Sequence, residues 1–406
     1  MASNPPYVQI PLYLVQISTG EIKVGIKIAI NGGLAMLYEL DTGASGFYPA
    51  AVIPGTDQGP PTSLLWWKDF LPTNNVASFN QNYSSGNSYT ALATQATLTF
   101  EGYSYVYSTQ DSQYEAQDVP SVTVNVGAIV DASNSNNSCY SINWNTSLTN
   151  ANTNIAKGES VSGGPLDSYF FGDFGIGLGN CANDGEFQGG PVLAVLPQFP
   201  APYCNQFTID LGTLPTAAQW AEAKTGIIPQ GTLTLGVPPT LPPGTPVQIY
   251  MNPSSSPQAY PSNTFQGTPT LFTFDQAQAS ATFTLGSFTL PNVPMVMDTG
   301  CPGMMIHLGG NGPLSLAAGG QIGTYLTQGS KKITVNEGCA VSFSPAITAS
   351  FTAGTGQGDI PVTATELTAN KPGKQFGYVN TSIKTFFDNA VTFNLLDGTL
   401  TLYPQS

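Results

Sequence analysis

An all-β fold is predicted by three features of this 406-residue chain. Glycine and proline, 44 and 33 residues, interrupt any long helix. Charged residues make up only 8%, against about 25% in an average globular protein, which excludes a coiled coil or a charged helical bundle. Short segments rich in Val, Ile, Thr and Tyr recur between turn residues. Apolar residues reach 41%, enough for a substantial core. The length suits two domains of about 150–200 residues each.

The elements follow in order. Residues 7–17 and 22–30 are β-branched or alternating strands, with Asn31-Gly32-Gly33 as a turn. Residues 34–40 form a strand that runs into Asp41-Thr42-Gly43. The polar, Tyr-containing stretch 74–90 reads as a hairpin or exposed loop, and strands resume at 93–107 and 119–130. Residues 131–164 are rich in Asn, Ser and Thr and read as a long surface loop, with a short ordered piece at 140–144. Helical patterns are short, at 192–196 and 216–224. A strand at 231–237 precedes the Pro-rich boundary 238–246. Further strands are expected at 247–251, 271–274, 279–285 and 294–297, the last running into Asp298-Thr299-Gly300. The tail 376–403 is strand-rich, with Leu396-Asp397-Gly398-Thr399 as a hairpin turn.

Charge narrows the function classes. Ten basic residues, all lysine, face 24 acidic ones, for a net charge of −14. Neither nucleic acid nor an anionic membrane surface is a suitable partner. Few carboxylates can find a cation, so acid has few ion pairs to break. This composition suits an acidic, extracytoplasmic medium. No run of 18 apolar residues exists to insert in a membrane. Residues 1–6 lack the pattern of a signal peptide, so the protein is either cytoplasmic or has had a leader removed, and the acidic composition favours the second. Asn82, Asn136, Asn145 and Asn380 lie in glycosylation sequons, which carry little weight in so Asn-rich a chain.

The single histidine, His307, excludes a two-histidine zinc helix, and no nucleophile elbow surrounds it. It reads as a structural strand or loop residue. The five cysteines include no CxxC pair, so no metal site is expected. A local bridge between Cys181 and Cys204 is one possible pairing, and spacing leaves connectivity open.

One internal repeat carries chemistry. Asp-Thr-Gly occurs at Asp41-Thr42-Gly43 and again at Asp298-Thr299-Gly300, 257 residues apart, each after an apolar strand. About 0.2 such tripeptides are expected by chance in this composition. An Asp at a strand end, followed by a Gly-containing turn, projects into a cleft, and Thr locks the turn by hydrogen bonds. Two such turns face to face would make Asp41 and Asp298 share one proton and activate a water between them. Neither metal nor cofactor is needed.

The duplicated motif resembles that of the pepsin-like aspartic proteases across nearly the whole chain. The resemblance implies a bilobal fold, two β-barrel-like lobes with a cleft between them, and one catalytic Asp from each. On this reading residues 1–205 form the N-terminal lobe, 206–240 the connection and 241–406 the C-terminal lobe. Tyr83-Ser84-Ser85-Gly86 resembles the family's flap, so Tyr83, Ser84 and Gly86 are expected over the substrate. Phe170-Phe171-Gly172, or the competing register through Phe174-Gly175, resembles the hydrophobic-hydrophobic-Gly support of the first Asp; Gln375-Phe376-Gly377 is its counterpart. Residues 207–210 and 231–236 resemble the strands between lobes, and with Gly175-Ile176-Gly177 are similar to protease domains linked to PE proteins in mycobacteria. Some positions depart from the family. Ala44 and Cys301 stand where Ser or Thr follows the motif, Tyr48 replaces a Trp, Pro302 replaces a small hydroxyl residue, and Glu39 occupies a usually apolar strand. Loss of the hydroxyls is expected to raise the dyad's proton affinity. Tyr48 retains a hydroxyl that can reach a flap residue.

The implied function is a monomeric acid endopeptidase acting on protein or peptide. Phe47, Tyr48 and Met304 are expected to line apolar subsites, favouring bulky hydrophobic residues around the cut. The alternative is a catalytically weak or inactive pepsin-fold protein that binds or inhibits a partner. A third reading, a β-rich surface or adhesion protein, leaves the paired motifs unexplained.

Overall fold

The fold was taken from a computed structural model of the chain. It describes residues 4–17, 20–44, 46–51, 64–67, 78–83, 87–134, 144–157, 163–177, 192, 194–223, 225–253, 274–275, 279–308, 314, 326–328, 333–335, 339–344, 347–351, 362–366 and 377–405.

The protein is all-β, as predicted. Its first half contains β1 (Tyr7–Gln16), β2 (Ile22–Ile30), β3 (Met36–Asp41), β4 (Phe47–Pro49), β5 (Phe79–Asn82), β6 (Asn87–Phe100), β7 (Tyr103–Ser108), β8 (Gln113–Asp118), β9 (Val122–Asn134), helix α1 (Trp144–Ala156), β10 (Gly172–Gly175) and β11 (Gln206–Asp210). Then come α2 (Ala217–Glu222), β12 (Ile227–Leu235), β13 (Val247–Tyr250), β14 (Asn252–Pro253), β15 (Phe274–Asp275), β16 (Ala279–Leu285) and β17 (Phe288–Val296). The remainder is β18 (Met304–Leu308), β19 (Leu326–Gln328), β20 (Ile333–Val335), β21 (Cys339–Ser344), β22 (Ile347–Phe351), β23 (Val362–Glu366), β24 (Tyr378–Asn380), α3 (Lys384–Asp388), β25 (Asn389–Asn394) and β26 (Thr399–Pro404).

A 15-stranded sheet holds β1–β13 together with β25 and β26, and a nine-stranded sheet holds β16–β24. The chain's last two strands therefore return to the sheet that contains its first. Phe207 of β11 stacks on Phe393 of β25 at 4.5 Å, and the hydroxyls of Thr208 and Thr392 meet at 2.7 Å. The core of the larger sheet is aromatic: Tyr38, Phe47, Trp66, Phe171 and Phe174 are all but fully buried. Phe283, Met304, Ile306 and Phe386 do the same work around the smaller sheet.

Several expectations change. The strand expected over 93–107 is two strands, broken at Glu101-Gly102. Gly102 has φ +117°, and a Cβ there would lie 2.1 Å from the Gln9 carbonyl oxygen. The polar stretch 131–164 contains α1, whose Trp144, Leu148 and Ala151 are buried. Their spacing puts them on one helical face, and Ile155 packs beside it. Poor helix formers are overridden here by packing, and Asn152 accepts a 2.9 Å bond from the Leu65 amide. The helix expected near 192–196 is a short 3₁₀ turn at Leu196–Gln198, whereas α2 forms with a full Thr216/Gln219 capping box. Cys204 is a buried free thiol, pushed up to about 11 by burial, so it makes no bridge to Cys181, which lies outside the described residues. His307 is buried in β18 and stacked on Tyr378 at 4.2 Å, as a structural residue would be. Among the described residues no helix is long and apolar enough to cross a membrane.

Candidate active site

The two repeats meet. Asp41 ends β3, and Asp298 follows β17 by two residues. The Thr42 amide donates to Thr299 Oγ1 at 3.0 Å, and the Thr299 amide donates to Thr42 Oγ1 at 3.0 Å. Each hydroxyl then donates across to the other loop: Thr42 Oγ1 to the Met297 carbonyl and Thr299 Oγ1 to the Leu40 carbonyl, both at 2.6 Å. Both threonines are buried, so these four bonds are shielded from water. They form a near-twofold clasp that only Thr or Ser could close, because each hydroxyl must donate and accept at once.

The clasp sets the carboxyls against each other. The Gly43 amide donates to Asp41 Oδ1 at 2.6 Å, and the Gly300 amide donates to Asp298 Oδ1 at 2.9 Å. Each glycine also lies under the opposite carboxyl. A Cβ on Gly43 would come within 2.6 Å of Asp298 Cγ, and one on Gly300 within 2.5 Å of Asp41 Cγ. The motif needs glycine there for close approach rather than for backbone conformation. Burial, and then the neighbouring Asp298 carboxylate, push the Asp41 carboxyl well above the usual carboxylate range; Asp173 and Glu39 add to this. Burial and these neighbours therefore favour the protonated form of Asp41.

Parallel strands support each loop. β10 runs parallel to β3, with Gly175 opposite Asp41. The Ile176 amide donates to the Asp41 carbonyl at 2.8 Å, and the Gly177 amide to the Ala44 carbonyl at 2.6 Å. Of the two candidate registers, Phe174-Gly175 is the one against the loop, and Phe170-Phe171-Gly172 leads into the strand, with Gly172 opposite Pro49 of β4. In the second loop β24 runs parallel to β17, and the Thr381 amide donates to the Val296 carbonyl at 2.8 Å. Tyr378-Val379-Asn380 takes the supporting place there; Gln375 and Phe376 lie outside the described residues.

The positions flanking the motif behave as follows. The Ala44 amide donates to Asp41 Oδ1 at 3.1 Å, so this loop keeps a second donor without a hydroxyl. The Cys301 thiol donates to the Gly303 carbonyl at 2.8 Å and not to Asp298. Asn380, which the sequence reading missed as a site residue, donates from Nδ2 to Asp298 Oδ2 at 2.6 Å. Its only sequence signal was a sequon, and a side chain this buried is not a glycan acceptor.

Tyr83 lies at the tip of the β5–β6 hairpin, where its amide donates to the Asn87 carbonyl at 2.8 Å; Ser84 and Gly86 lie outside the described residues. The Tyr48 hydroxyl donates to Gln81 Oε1 of that hairpin at 3.3 Å, the reach expected of it. Phe47 and Met304 do not face a cleft as subsite residues would: both are buried in the core with no exposed surface.

Beneath Asp41 lies an unexpected set of charges. Glu39, on the same face of β3, accepts from Lys23 at 2.9 and 3.0 Å, and Lys23 also reaches Asp167 at 3.0 Å. Burial alone would lower the Lys23 ammonium, but Glu39 and Asp167 outweigh it and hold it well above its ordinary value. Asp173 pairs with Glu39 across the parallel ladder and is also buried. Burial and then Glu39 raise its carboxyl well above the usual range, opposed by Tyr83 and Lys23. Among the described residues no group of three or more His, Cys, Asp or Glu is arranged to hold a metal ion. No protein-family model matches this chain, and no curated protein matches it.

Proposed function

We propose that this chain is an aspartic endopeptidase of the pepsin-like, bilobal kind, working in an acidic extracytoplasmic medium on protein or peptide. The observation that carries the proposal is the reciprocal Thr42/Thr299 clasp, which brings two strand-end carboxyls together where burial and the neighbouring carboxyl raise the proton affinity of Asp41. In this reading a peptide lies across the dyad under the β5–β6 hairpin. Asp298 accepts a proton from a water held between the carboxyls, and that water attacks the scissile carbonyl carbon. The Asp41 carboxylic acid hydrogen-bonds to the carbonyl oxygen and stabilises the charge that develops there. The tetrahedral intermediate collapses as the amine leaves with a proton from the dyad. Asn380 fixes the rotamer of Asp298 through its 2.6 Å bond. The clasp supplies the rest of the positioning, which holds the reacting groups in line without further ordering cost.

Acid suits this protein for a second reason. Carboxyls with raised proton affinity, Asp41 and Asp173, are neutral in acid and costly to ionise where they are buried. The bulky hydrophobic preference has lost two of the lining residues it rested on, since Phe47 and Met304 are core. The test is cleavage of an unfolded protein substrate from pH 2 to 7, with and without a statine-type inhibitor, beside Asp41→Asn. Acid-side cleavage abolished by both the inhibitor and the substitution is expected. A folded protein that cleaves nothing at any pH would leave a pepsin-fold binding protein as the better account.

A further inference from the structure

We propose that the buried polar cluster of Asp173, Gln81 and Tyr83 beside the dyad is a specificity site that takes a lysine or arginine side chain flanking the scissile bond. This inference rests on the endopeptidase reading.

Three buried polar atoms point to it. Asp173 Oδ1, Gln81 Nε2 and the Tyr83 hydroxyl have no hydrogen-bond partner, although Asp173 is only 3% exposed and Gln81 7%. The Tyr83 hydroxyl interacts with the Asp173 carboxyl yet closes no hydrogen bond of normal geometry with it. Leaving such groups buried and unsatisfied is costly, so a ligand that supplies donors and charge would complete the site. The strands fix where it lies. Gly175 is opposite Asp41 and Asp173 is opposite Glu39 in the β3–β10 ladder. Side chains two residues apart share a face of a strand, so Asp173 and Glu39 stand beside Asp41 on its own side. Tyr83 and Tyr89 of the β5–β6 hairpin lie within electrostatic reach of Asp173. A peptide held over Asp41 would place a flanking side chain against this cluster.

Charge decides the class of side chain. The groups acting on Asp173 are Glu39 and Asp41 from β3, Lys23 from β2, Tyr48 from β4, Tyr83 and Tyr89 from the hairpin, and Asp298 from the second loop. Lys23 is the one cation among them, and Glu39 and Asp167 already engage it. Among the described residues Asp173 has no ion-pair partner of its own. An ammonium or guanidinium group would supply the missing charge and the missing donors. Norleucine, equally long and uncharged, would leave all three polar atoms unsatisfied.

The test uses two statine-type pseudo-peptides with the wild-type protein, identical except for Lys or norleucine at the side chain flanking the statine. Affinities are measured by calorimetry at about pH 4 and about pH 6, and the Lys-to-norleucine ratio cancels the dyad's own titration. A cation binds the ionised form of Asp173, whose proton affinity is raised in the free protein, so the preference should grow as pH rises. We expect Lys to bind about tenfold or more tighter near pH 6, the ratio to shrink towards pH 4, and Asp173→Asn to bring it near one at both. Equal or tighter binding of the norleucine peptide near pH 6, or a ratio independent of pH in the wild type, overturns the proposal whether or not the variant folds. If neither peptide binds while Asp41-dependent proteolysis is present, the specificity-site assignment fails and the protease stands. If both are absent, both fail.

Discussion

Replacing Thr42 with Val should unlatch the two motif loops without leaving a cavity, because the two side chains are nearly isosteric. Thr42 Oγ1 donates to the Met297 carbonyl at 2.6 Å and accepts from the Thr299 amide at 3.0 Å. Val removes both bonds and strands two buried backbone groups from the other loop. Each costs about 1–3 kcal/mol, so the loss should be about 2–6 kcal/mol. Thr42→Ser keeps the hydroxyl and loses one methyl group, worth about 0.8 kcal/mol. The assay is urea unfolding followed by tryptophan fluorescence, with amide exchange at Thr299 as the local readout. Thr42→Val should lower the midpoint sharply and speed exchange at Thr299, while Thr42→Ser should do neither to a comparable extent. Thr299→Val, which strands the Leu40 carbonyl and the Thr42 amide, should behave alike. A Thr42→Val protein within about 0.5 kcal/mol of wild type would refute the reasoning, since two buried backbone groups could not then be losing their partners.

Gly300→Ala should leave the fold near wild type but reduce proteolysis by about 100-fold or more, because the new Cβ would sit 2.5 Å from Asp41 Cγ and displace the carboxyl; steady-state kinetics beside a thermal melt separate the two effects. Asp173→Asn should raise the melting temperature at pH 7 and leave it little changed near pH 3. The wild-type carboxyl has a raised pKa, so the folded state binds more protons than the unfolded one, and its stability falls as pH climbs from the unfolded value towards the folded one. A variant that melts lower than wild type at pH 7 would contradict this. Lys23→Met should cost about 3–5 kcal/mol at neutral pH by leaving Glu39 and Asp167 buried without their cation. The cost should shrink in acid as Glu39, whose carboxyl burial also raises, becomes protonated; urea titrations at two pH values will show it.

Composition and patterning were enough to read the all-β class, most strands of the larger sheet, the short helix α2 and the two strand-end Asp residues. These depend on local propensity and on spacing along the chain. The repeat itself predicted which residues would meet, because Asp41-Thr42-Gly43 and Asp298-Thr299-Gly300 each need a partner of the same kind to satisfy their hydroxyls. Other features were decided only in three dimensions. Helix α1 hides in an Asn/Ser/Thr run because its stability comes from burying Trp144, Leu148 and Ala151. Phe47 and Met304 face the core although they flank the motifs, since strand orientation is set by what packs on the sheet and not by nearness in sequence. Asn380 reaches Asp298 from 82 residues away, and Asp173 becomes a neighbour of Glu39 only through the parallel β3–β10 ladder. A parallel pairing joins segments separated by a long crossover, so its register leaves no mark in either strand. The facing carboxyl pair was written into the chain as a repeat; the charges and amides around it were assembled by the sheet.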